Sequence, residues 1–415
     1  MPVITAVKGR LVFNSRGNKT IEVDVSSDRK FVGRACAPSG ASVGIHEVQS
    51  FPDNSPEKAL STLHENVGDF IGTDSSDQRA IYDVMKKIDS SPDYATLGGA
   101  TAFALSIAAL ESCSKALDEP MFKVLKQSKP YKFPFPLGNV LGGGAHAGPG
   151  SPDIQEILVS PIGARRIDDA VAMNFRVHRE VGKVIESVDK RFTFGKGDEG
   201  AWAPNIDNDK AIEIVEKAVA NCGFALGKEL AIGIDFASSS LWNEKTKRYE
   251  YVRQGVSRTS EEQINFVNDL IKRYRLFYVE DPVNEEDFDS MASITQHNST
   301  CLITGDDMLV TNASLVRKAV SKGACSGAIL KVNQAGSLYE SLLFAKECIE
   351  NNIRIITSHR SGESTDSHIS HIAIATDSTF LKTGVLGGER VAKLNELLRI
   401  SEYGLIEGMA EIHFG

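Results

Sequence analysis

Short apolar segments alternate with helical segments over most of the chain, and this alternation restricts the fold more than any other feature of the sequence. The apolar segments cover residues 154–159, 230–236, 276–280, 301–304, 327–332, 354–357 and 379–382. Helical stretches flanked by capping residues lie between them, for example 259–274 and 312–322. Repeated strand–helix units of about 30 residues predict an α/β fold with a parallel sheet or a closed barrel.

The first 130 or so residues have a different pattern. Residues 3–25 contain alternating apolar and polar residues, as half-buried strands do, and 100–116 is rich in alanine and leucine, as a buried helix would be. Strands followed by helices predict an α+β domain. Three prolines in 129–136 make this segment the best linker candidate. We therefore expect an α+β domain at 1–130 and a βα-barrel catalytic domain at 131–415.

The composition argues against several functional classes. The chain has 415 residues and a net charge of −9, so it has no general positive field that would gather nucleic acid or anionic lipid. No apolar run approaches the roughly 20 residues of a membrane-spanning helix, and we expect neither a membrane span nor a secretion signal. The six cysteines form no Cys-x-x-Cys pair, which indicates reduced core residues and a cytoplasmic protein.

Acidic residues stand at the ends of three apolar segments in the second part of the chain. They are Asp235, Glu280 and Asp306. Because the carboxyl ends of barrel strands meet at one mouth, we expect these carboxylates to converge there. Ligand sets made only of oxygen suit Mg²⁺. A single acid at a strand end is more often a turn or helix-cap residue, but three at successive strand ends favour a metal site.

The next apolar segments end in basic and hydroxyl residues. Lys331 follows one of them, His359, Arg360 and Ser361 follow another, and Lys382 ends the last. Barrel order would place these side chains around the same mouth as the acids. A lysine is a suitable general base when nearby cations disfavour its ammonium form, and arginine and serine suit a phosphate or carboxylate.

Glycine-rich loops supply further candidates. Glu199 lies in residues 195–200, which formally match the G-x-G-x-x-G pattern, but a proline follows at once and no helix opens there, so we reject a dinucleotide site. The loop around His146 lacks the Lys-Ser/Thr of a P-loop. Gln155 and Glu156 are expected in another tight loop. The sequence alone leaves structural and functional roles for His146 about equally open.

Together these segments resemble enolase, also called phosphopyruvate hydratase. The resemblance covers nearly the whole chain, from residue 14 to residue 400. The matching motifs stand in the family's order and are Pro38-Ser-Gly-Ala-Ser42, Gln155-Glu156, Gly197-Asp-Glu-Gly200, Glu280-Asp-Pro282, Gly305-Asp-Asp307, Leu330-Lys-Val-Asn-Gln334 and Ser358-His-Arg-Ser-Gly-Glu363. Some of these motifs are weak singly, whereas their combination is highly specific.

The resemblance implies an N-terminal α+β domain that caps a modified (β/α)8 TIM-like barrel. It implies a lyase that reversibly dehydrates 2-phosphoglycerate to phosphoenolpyruvate in glycolysis and gluconeogenesis, with two Mg²⁺ per active site. It also implies a homodimer, or an octamer built from dimers. The family's loop that closes over the site corresponds to the segment around Ser42. A secondary place at the cell surface stays open.

The resemblance further implies a role for each candidate residue. The implied metal ligands are Asp235, Glu280, Asp306 and Ser42. The implied catalytic residues are Lys331, Glu199 and Glu156. The implied substrate-binding residues are His146, Gln155, His359, Arg360, Ser361 and Lys382. Lys331 would take the C2 proton, Glu199 would protonate the leaving hydroxyl, Arg360 and Ser361 would hold the phosphate, and Lys382 would hold the carboxylate.

Two alternatives remain at this level. One is an acid-sugar or dipeptide enzyme on the same barrel, which would carry a Lys-x-Lys pair near the second barrel strand and lack the Ser-Gly-Ala-Ser loop. The other is a non-catalytic binding or scaffold protein on an enolase fold. The chain departs from the family pattern at Val43 and after Glu47, where a segment is shorter. We expect these departures to affect loop motion and rate, and not the reaction.

Overall fold

The N-terminal part of the molecule packs helices on one face of a small antiparallel sheet. The structure is a computed structural model that describes residues 1–41 and 43–412. The three strands, paired in sequence order, are β1 (Ile4–Phe13), β2 (Lys19–Ser27) and β3 (Phe31–Cys36). The helices are α1 (Pro56–Asn66), α2 (Gln78–Ile88), α3 (Gly99–Leu117) and α4 (Met121–Leu125). The predicted half-buried strands and buried helix are both present.

Helix α3 is the centre of this part, because it is apolar on nearly all sides and packs against the sheet. On β2, Ile21, Val23 and Val25 are fully buried, in the alternation expected of a strand with one face on the core. Gly33 on β3 lets the two backbones approach closely. A Cβ at this position would lie 2.0 Å from the carbonyl oxygen of Ala108 in α3.

The remainder of the chain forms a closed barrel with a small additional sheet. Its strands are β4 (Phe135–Gly142), β5 (Glu156–Ser160), β6 (Ala231–Asp235), β7 (Trp242–Asn243), β8 (Arg248–Tyr251), β9 (Val256–Arg258), β10 (Tyr278–Glu280), β11 (Leu302–Gly305), β12 (Gly327–Leu330), β13 (Arg354–Ser358) and β14 (Phe380–Lys382). Strands β7–β9 form the separate sheet, and the other eight close the barrel in the order β4-β5-β6-β10-β11-β12-β13-β14.

Helices surround the barrel between these strands. They are α5 (Ile167–Val188), α6 (Asn208–Asn221), α7 (Ser260–Tyr274), α8 (Phe288–His297), α9 (Ala313–Lys322), α10 (Val332–Ala335), α11 (Leu338–Glu350), α12 (His368–Ala375) and α13 (Gly388–Ser401). The predicted caps are present: Thr259 and Glu262 form a capping box at α7, Asn312 caps α9, and Gly323 ends it in the left-handed conformation. The predicted α/β class and TIM-like barrel are confirmed.

Strand β5 runs antiparallel to both of its neighbours, whereas all other adjacent barrel strands are parallel. The first residue of β5, Glu156, therefore lies at the same mouth as the carboxyl ends of the parallel strands. In register, Glu156 pairs with Asp235 and Asp235 pairs with Glu280. The barrel thus presents one row of three acids on three neighbouring strands.

Two local expectations were wrong, and one small sheet was missed. Glu156 begins a strand, and not a tight loop. Phe135 and Pro136 of the expected linker belong to β4. The strand tolerates Pro136 because this residue stands near the strand start. The hairpin sheet β7–β9 was not predicted, since its strands are short and carry little apolar alternation. The domain boundary at residue 130 stays a prediction.

Within the part of the chain that the structure describes, no helix combines the length and apolar character that a membrane crossing requires.

Replacing Gly33 by alanine should lower the melting temperature, because the added Cβ would overlap the Ala108 carbonyl of α3. Separating β3 from α3 to relieve this overlap should cost about 1–3 kcal/mol or more. Thermal unfolding followed by circular dichroism measures the effect. Gly68→Ala is the matched control, since a Cβ there meets nothing within 4 Å; equal losses in the two variants would contradict this packing.

Candidate active site

A small cavity lies at the mouth where the acids meet. The predicted site residues that line it are His146, Gln155, Glu156, Glu199, Asp235, Asp306, Lys331, His359, Arg360, Ser361 and Lys382. Glu280 lies directly behind this lining, in contact with Lys382. Ser42 lies outside the described residues. The barrel therefore brings together side chains that are spread over more than 230 positions of the sequence.

Lys382 stands at the centre of the acids. At the end of β14 its Nζ reaches across the barrel and lies 2.9 Å from Asp235 Oδ2, 2.8 Å from Glu280 Oε2 and 3.3 Å from Glu156 Oε2. All four side chains are at most 5% exposed. Three buried carboxylates thus share one ammonium group.

Three carboxylates and one ammonium group leave an excess of negative charge at this centre, which shifts the pKa values of its members. Burial raises the pKa of Glu280 well above its usual range, and the neighbouring Asp235 carboxylate adds to the rise. Burial opposes the charge of Lys382, but the attraction of Asp235, Glu156 and Glu280 is larger and holds the pKa of Lys382 well above its usual range. Tyr278 donates a hydrogen bond to Glu280 Oε2. Among the described residues, Glu280 Oε1 has no hydrogen-bond partner.

A second cation–acid pair lies beside the first. Lys331 pairs with Asp306 Oδ2, while the Gln334 amide donates to Asp306 Oδ1 at 2.9 Å. Lys331 is the residue that directly follows β12, and its backbone N–H donates to Thr311 Oγ1 at 2.8 Å. Burial opposes the charge of Lys331, yet the adjacent Asp306 carboxylate raises the pKa of this amine. Lys331 therefore stays protonated as long as Asp306 faces it.

Asp281, to which the sequence assigned no role, orients the loop of Asp306. Its Oδ1 accepts from the Asp306 N–H at 2.9 Å, and its Oδ2 accepts from the Asp307 N–H at 2.8 Å. The carboxylates of Asp281, Asp306 and Asp307 approach within 4.8 Å of one another. Burial and the neighbouring Asp306 raise the pKa of Asp307 to about 7. Like the row of acids, this cluster could hold a cation.

Glu199 lies on the other side of the cavity, in a tight turn with φ of 66°. The next residue, Gly200, also has positive φ, and a Cβ there would lie 2.1 Å from the Leu386 carbonyl oxygen. The loop can therefore pack in this way only with glycine at that position. His359 Nε2 lies 3.0 Å from Glu199 Oε1, and Asn139 donates to Glu199 Oε2 at 3.2 Å.

Glu199 and Glu156 occupy different electrostatic environments. Burial raises the pKa of Glu156, and the charge of Glu199 raises it further. Burial also tends to raise the pKa of Glu199. The nearby His359 and His146 outweigh this effect and hold the pKa of Glu199 well below its usual range. His146 Nδ1 lies between the two, 3.3 Å from Glu156 Oε1 and 3.8 Å from Glu199 Oε1. Of the two carboxylates, Glu156 therefore keeps its proton to the higher pH.

Glu47, in the N-terminal part, was not predicted as a site residue. Its carboxylate accepts from both terminal nitrogens of Arg360, at 2.9 and 3.0 Å, and both side chains are 4% exposed. The backbone of Ser39 pairs with that of Gly362 through two hydrogen bonds of 2.8 Å. Ser39 and Glu47 thus join the N-terminal part to the barrel mouth. No spacing signal marks Glu47, because its partner is 313 positions away.

Two family models match the chain. The model described as "Enolase, N-terminal domain" matches residues 4–125, and "Enolase, C-terminal TIM barrel domain" matches residues 130–409. The chain is 45% identical to an enolase of Methanosphaera stadtmanae over 412 residues, which cover 99% of both chains. It is 40% identical to an enolase of Methanothermobacter thermautotrophicus over 414 residues, again 99% of both, and 40% identical to one of Pyrobaculum aerophilum over 95% of both.

The single variants Glu47→Gln and Arg360→Gln should each lower the melting temperature, because each leaves a buried charge without its partner. The double variant should melt no lower than the worse single variant. Thermal unfolding measures this coupling. The exposed pair of Asp53 and Lys58 is the control, since its side chains are 78% and 61% exposed and such pairs contribute about 0–1 kcal/mol. Additive losses at Glu47 and Arg360 would show that the two do not act as a pair.

Proposed function

The chain belongs to the enolase family, and we infer from this membership and from the site that it interconverts 2-phosphoglycerate and phosphoenolpyruvate, the hydro-lyase reaction of glycolysis. One observation carries the assignment of the site. A row of three buried acids, Glu156, Asp235 and Glu280, faces a second group, Asp306 with Lys331, across a single cavity. With a cation held by the acids, this arrangement could stabilise negative charge, and Lys331 could move a proton next to it.

The proposal includes Mg²⁺ held by Asp235, Glu280 and Asp306. Two features of the structure fit a divalent cation there. The donors are all oxygens, which a hard cation prefers, and Glu280 Oε1 is buried without a hydrogen-bond partner among the described residues. We propose two ions per site, the second one with Ser42. When bound, Mg²⁺ stabilises the negative charge that develops on the substrate carboxylate.

Lys331 is the proposed base that takes the C2 proton. An ammonium group cannot accept a proton, so Lys331 must give up the pairing with Asp306 that holds it charged. The charges of Arg360 and Lys382 lower the pKa of Lys331, and the neutral amine would become accessible if a metal ion engaged Asp306. The Gln334 amide keeps Asp306 in place during this change.

Glu199 is the proposed acid for the leaving hydroxyl, with Glu156 beside it. Hydroxide is a poor leaving group and requires a proton. Glu156, whose pKa is raised, keeps a proton to a higher pH than Glu199, whose pKa is lowered. His146 Nδ1 lies between the two carboxylates, 3.3 Å from Glu156 Oε1 and 3.8 Å from Glu199 Oε1.

The proposed substrate contacts come from the other side of the mouth. Arg360 binds Glu47 through both of its terminal nitrogens, and a planar guanidinium group of this kind also suits a phosphate. Ser361 Oγ is buried and has no hydrogen-bond partner among the described residues, so it can donate to a phosphate oxygen. Lys382 would hold the carboxylate once the acids bind metal. Gln155, His146 and His359 complete the wall of the cavity.

The non-catalytic alternative has no support in the structure, since every proposed charged group among the described residues reaches the site. We further propose a cytoplasmic location and a homodimer or an octamer of dimers, in keeping with the enolase family.

Purified protein with Mg²⁺ should convert 2-phosphoglycerate to phosphoenolpyruvate, followed by the ultraviolet absorbance of the enol product. Chelation should reduce the rate to background, because Asp235, Glu280 and Asp306 would then lack the cation that stabilises the transition state. Added Mg²⁺ should restore it. Full activity after chelation would rule out the metal assignment.

Replacing Lys331 by alanine should stop the exchange of the C2 proton with solvent deuterium and reduce turnover by roughly 10²–10⁴-fold, the usual contribution of a general base. Substrate should still bind, because Arg360, Ser361 and Lys382 remain. Proton NMR measures the exchange, and calorimetry measures the binding. Lys322→Ala, which removes a surface lysine paired with Asp289, should leave both unchanged. Retained exchange in the Lys331 variant would mean that another group is the base.

A further inference from the structure

Arg390 is a buried arginine behind the active-site wall, in helix α13, and it is 1% exposed. Its guanidinium holds three consecutive residues of the wall. Nη1 lies 2.8 Å from His359 Nδ1 and 2.6 Å from the Arg360 carbonyl oxygen, and Nη2 lies 2.6 Å from the Ser361 carbonyl oxygen. One side chain outside the cavity therefore contacts the residue that faces Glu199 and both residues proposed to hold the phosphate.

The chemistry of a guanidinium group decides the protonation of the His359 ring. Arginine has five N–H donors and no acceptor, and it stays charged in proteins. His359 Nδ1 must therefore be an unprotonated acceptor, so the proton of the neutral ring is on Nε2. Nε2 lies 3.0 Å from Glu199 Oε1 but makes no hydrogen bond to a described residue in this conformation, so a proton on Nε2 places an N–H beside that carboxylate.

We propose that Arg390 is a positioning residue that fixes His359 as the neutral Nε2–H tautomer and thereby places an N–H beside the Glu199 carboxylate. The catalytic meaning of this step rests on the proposed function, in which Glu199 serves the leaving hydroxyl. If His359 could turn its proton to Nδ1, Glu199 would lose a donor. If the ring took a second proton, His359 would form an ion pair with Glu199 and compete for the proton that the reaction requires.

The surroundings of His359 agree with a neutral ring. The charged side chains that act on it are Glu199, Arg390 and Glu363. Burial lowers the pKa of His359 to about 4, with the Arg390 charge acting in the same direction and the two acids opposing it. The backbone N–H of His359 donates to the Lys382 carbonyl oxygen at 3.0 Å, so the backbone of His359 is joined to β14.

Lys393 provides a control for a residue that only anchors the loop. Lys393, one turn further along α13, is also 1% exposed and donates to the carbonyl oxygens of Ser364 and Asp366, at 3.0 and 2.8 Å. Its Nζ also lies 3.0 Å from Glu363 Oε2. Lys393 thus anchors the same loop as Arg390, but no hydrogen bond or ion pair described here links it to the His359 ring.

The test is ¹⁵N NMR of the histidine rings in the full protein, with the signals of His359 assigned by loss in His359→Gln. In the wild type, Nδ1 should show the shift of an unprotonated nitrogen and Nε2 that of an N–H nitrogen, without titration from about pH 5.5 to pH 8. Arg390→Met should give mixed tautomers or a ring that titrates in this range. Arg390→Lys, which keeps one cationic donor, should restore the wild-type tautomer.

The turnover rate should change together with the tautomer of the His359 ring. Arg390→Met should lower kcat about tenfold or more with KM changed less than about threefold, and Lys393→Met should leave the His359 signals as in the wild type. A proton on Nδ1 in the wild type overturns the proposal, even where the Arg390 variants fail to fold. An unchanged tautomer in a folded Arg390→Met protein overturns it as well. An inactive wild type with the expected tautomer would instead contradict the proposed function alone.

Discussion

The crowding of buried carboxylates around one ammonium group is the interaction on which the rest of the site depends. Asp235, Glu280 and Glu156 all lie within 3.3 Å of Lys382 Nζ, away from solvent. Such a group of charges is costly to bury unless cations compensate it. In this structure Lys382 and Lys331 supply that compensation. A divalent cation among the acids would take over this role and free both lysines for the substrate.

The direction of a single strand makes this crowding possible. Because β5 runs against its neighbours, Glu156 lies in register with Asp235 at the mouth; in a parallel strand, its first residue would lie at the opposite end of the barrel. The N-terminal part then closes the other side of the cavity. Glu47 joins its loop to Arg360, and Ser39 joins the same loop to the backbone of Gly362. The site is therefore completed by both parts of the chain.

Much of the fold and of the proposed site could be predicted from local pattern. The acids at the ends of β6, β10 and β11 were identifiable because the carboxyl ends of parallel strands always share one edge. The direction of β5 has no such signal, since a short apolar strand reads alike in both directions. Glu47 and Arg390 were missed for a different reason. Their importance comes from contacts with Arg360 and His359 that only the tertiary structure creates.

The most direct test of this account is a crystal structure of the protein grown with Mg²⁺. Carboxylate oxygens of Asp235, Glu280 and Asp306 should surround one ion at about 2.1 Å, and Lys382 Nζ should have left its position between Asp235 and Glu280. An ion bound away from these acids would contradict the account. So would Lys382 still bridging the two carboxylates at saturating Mg²⁺.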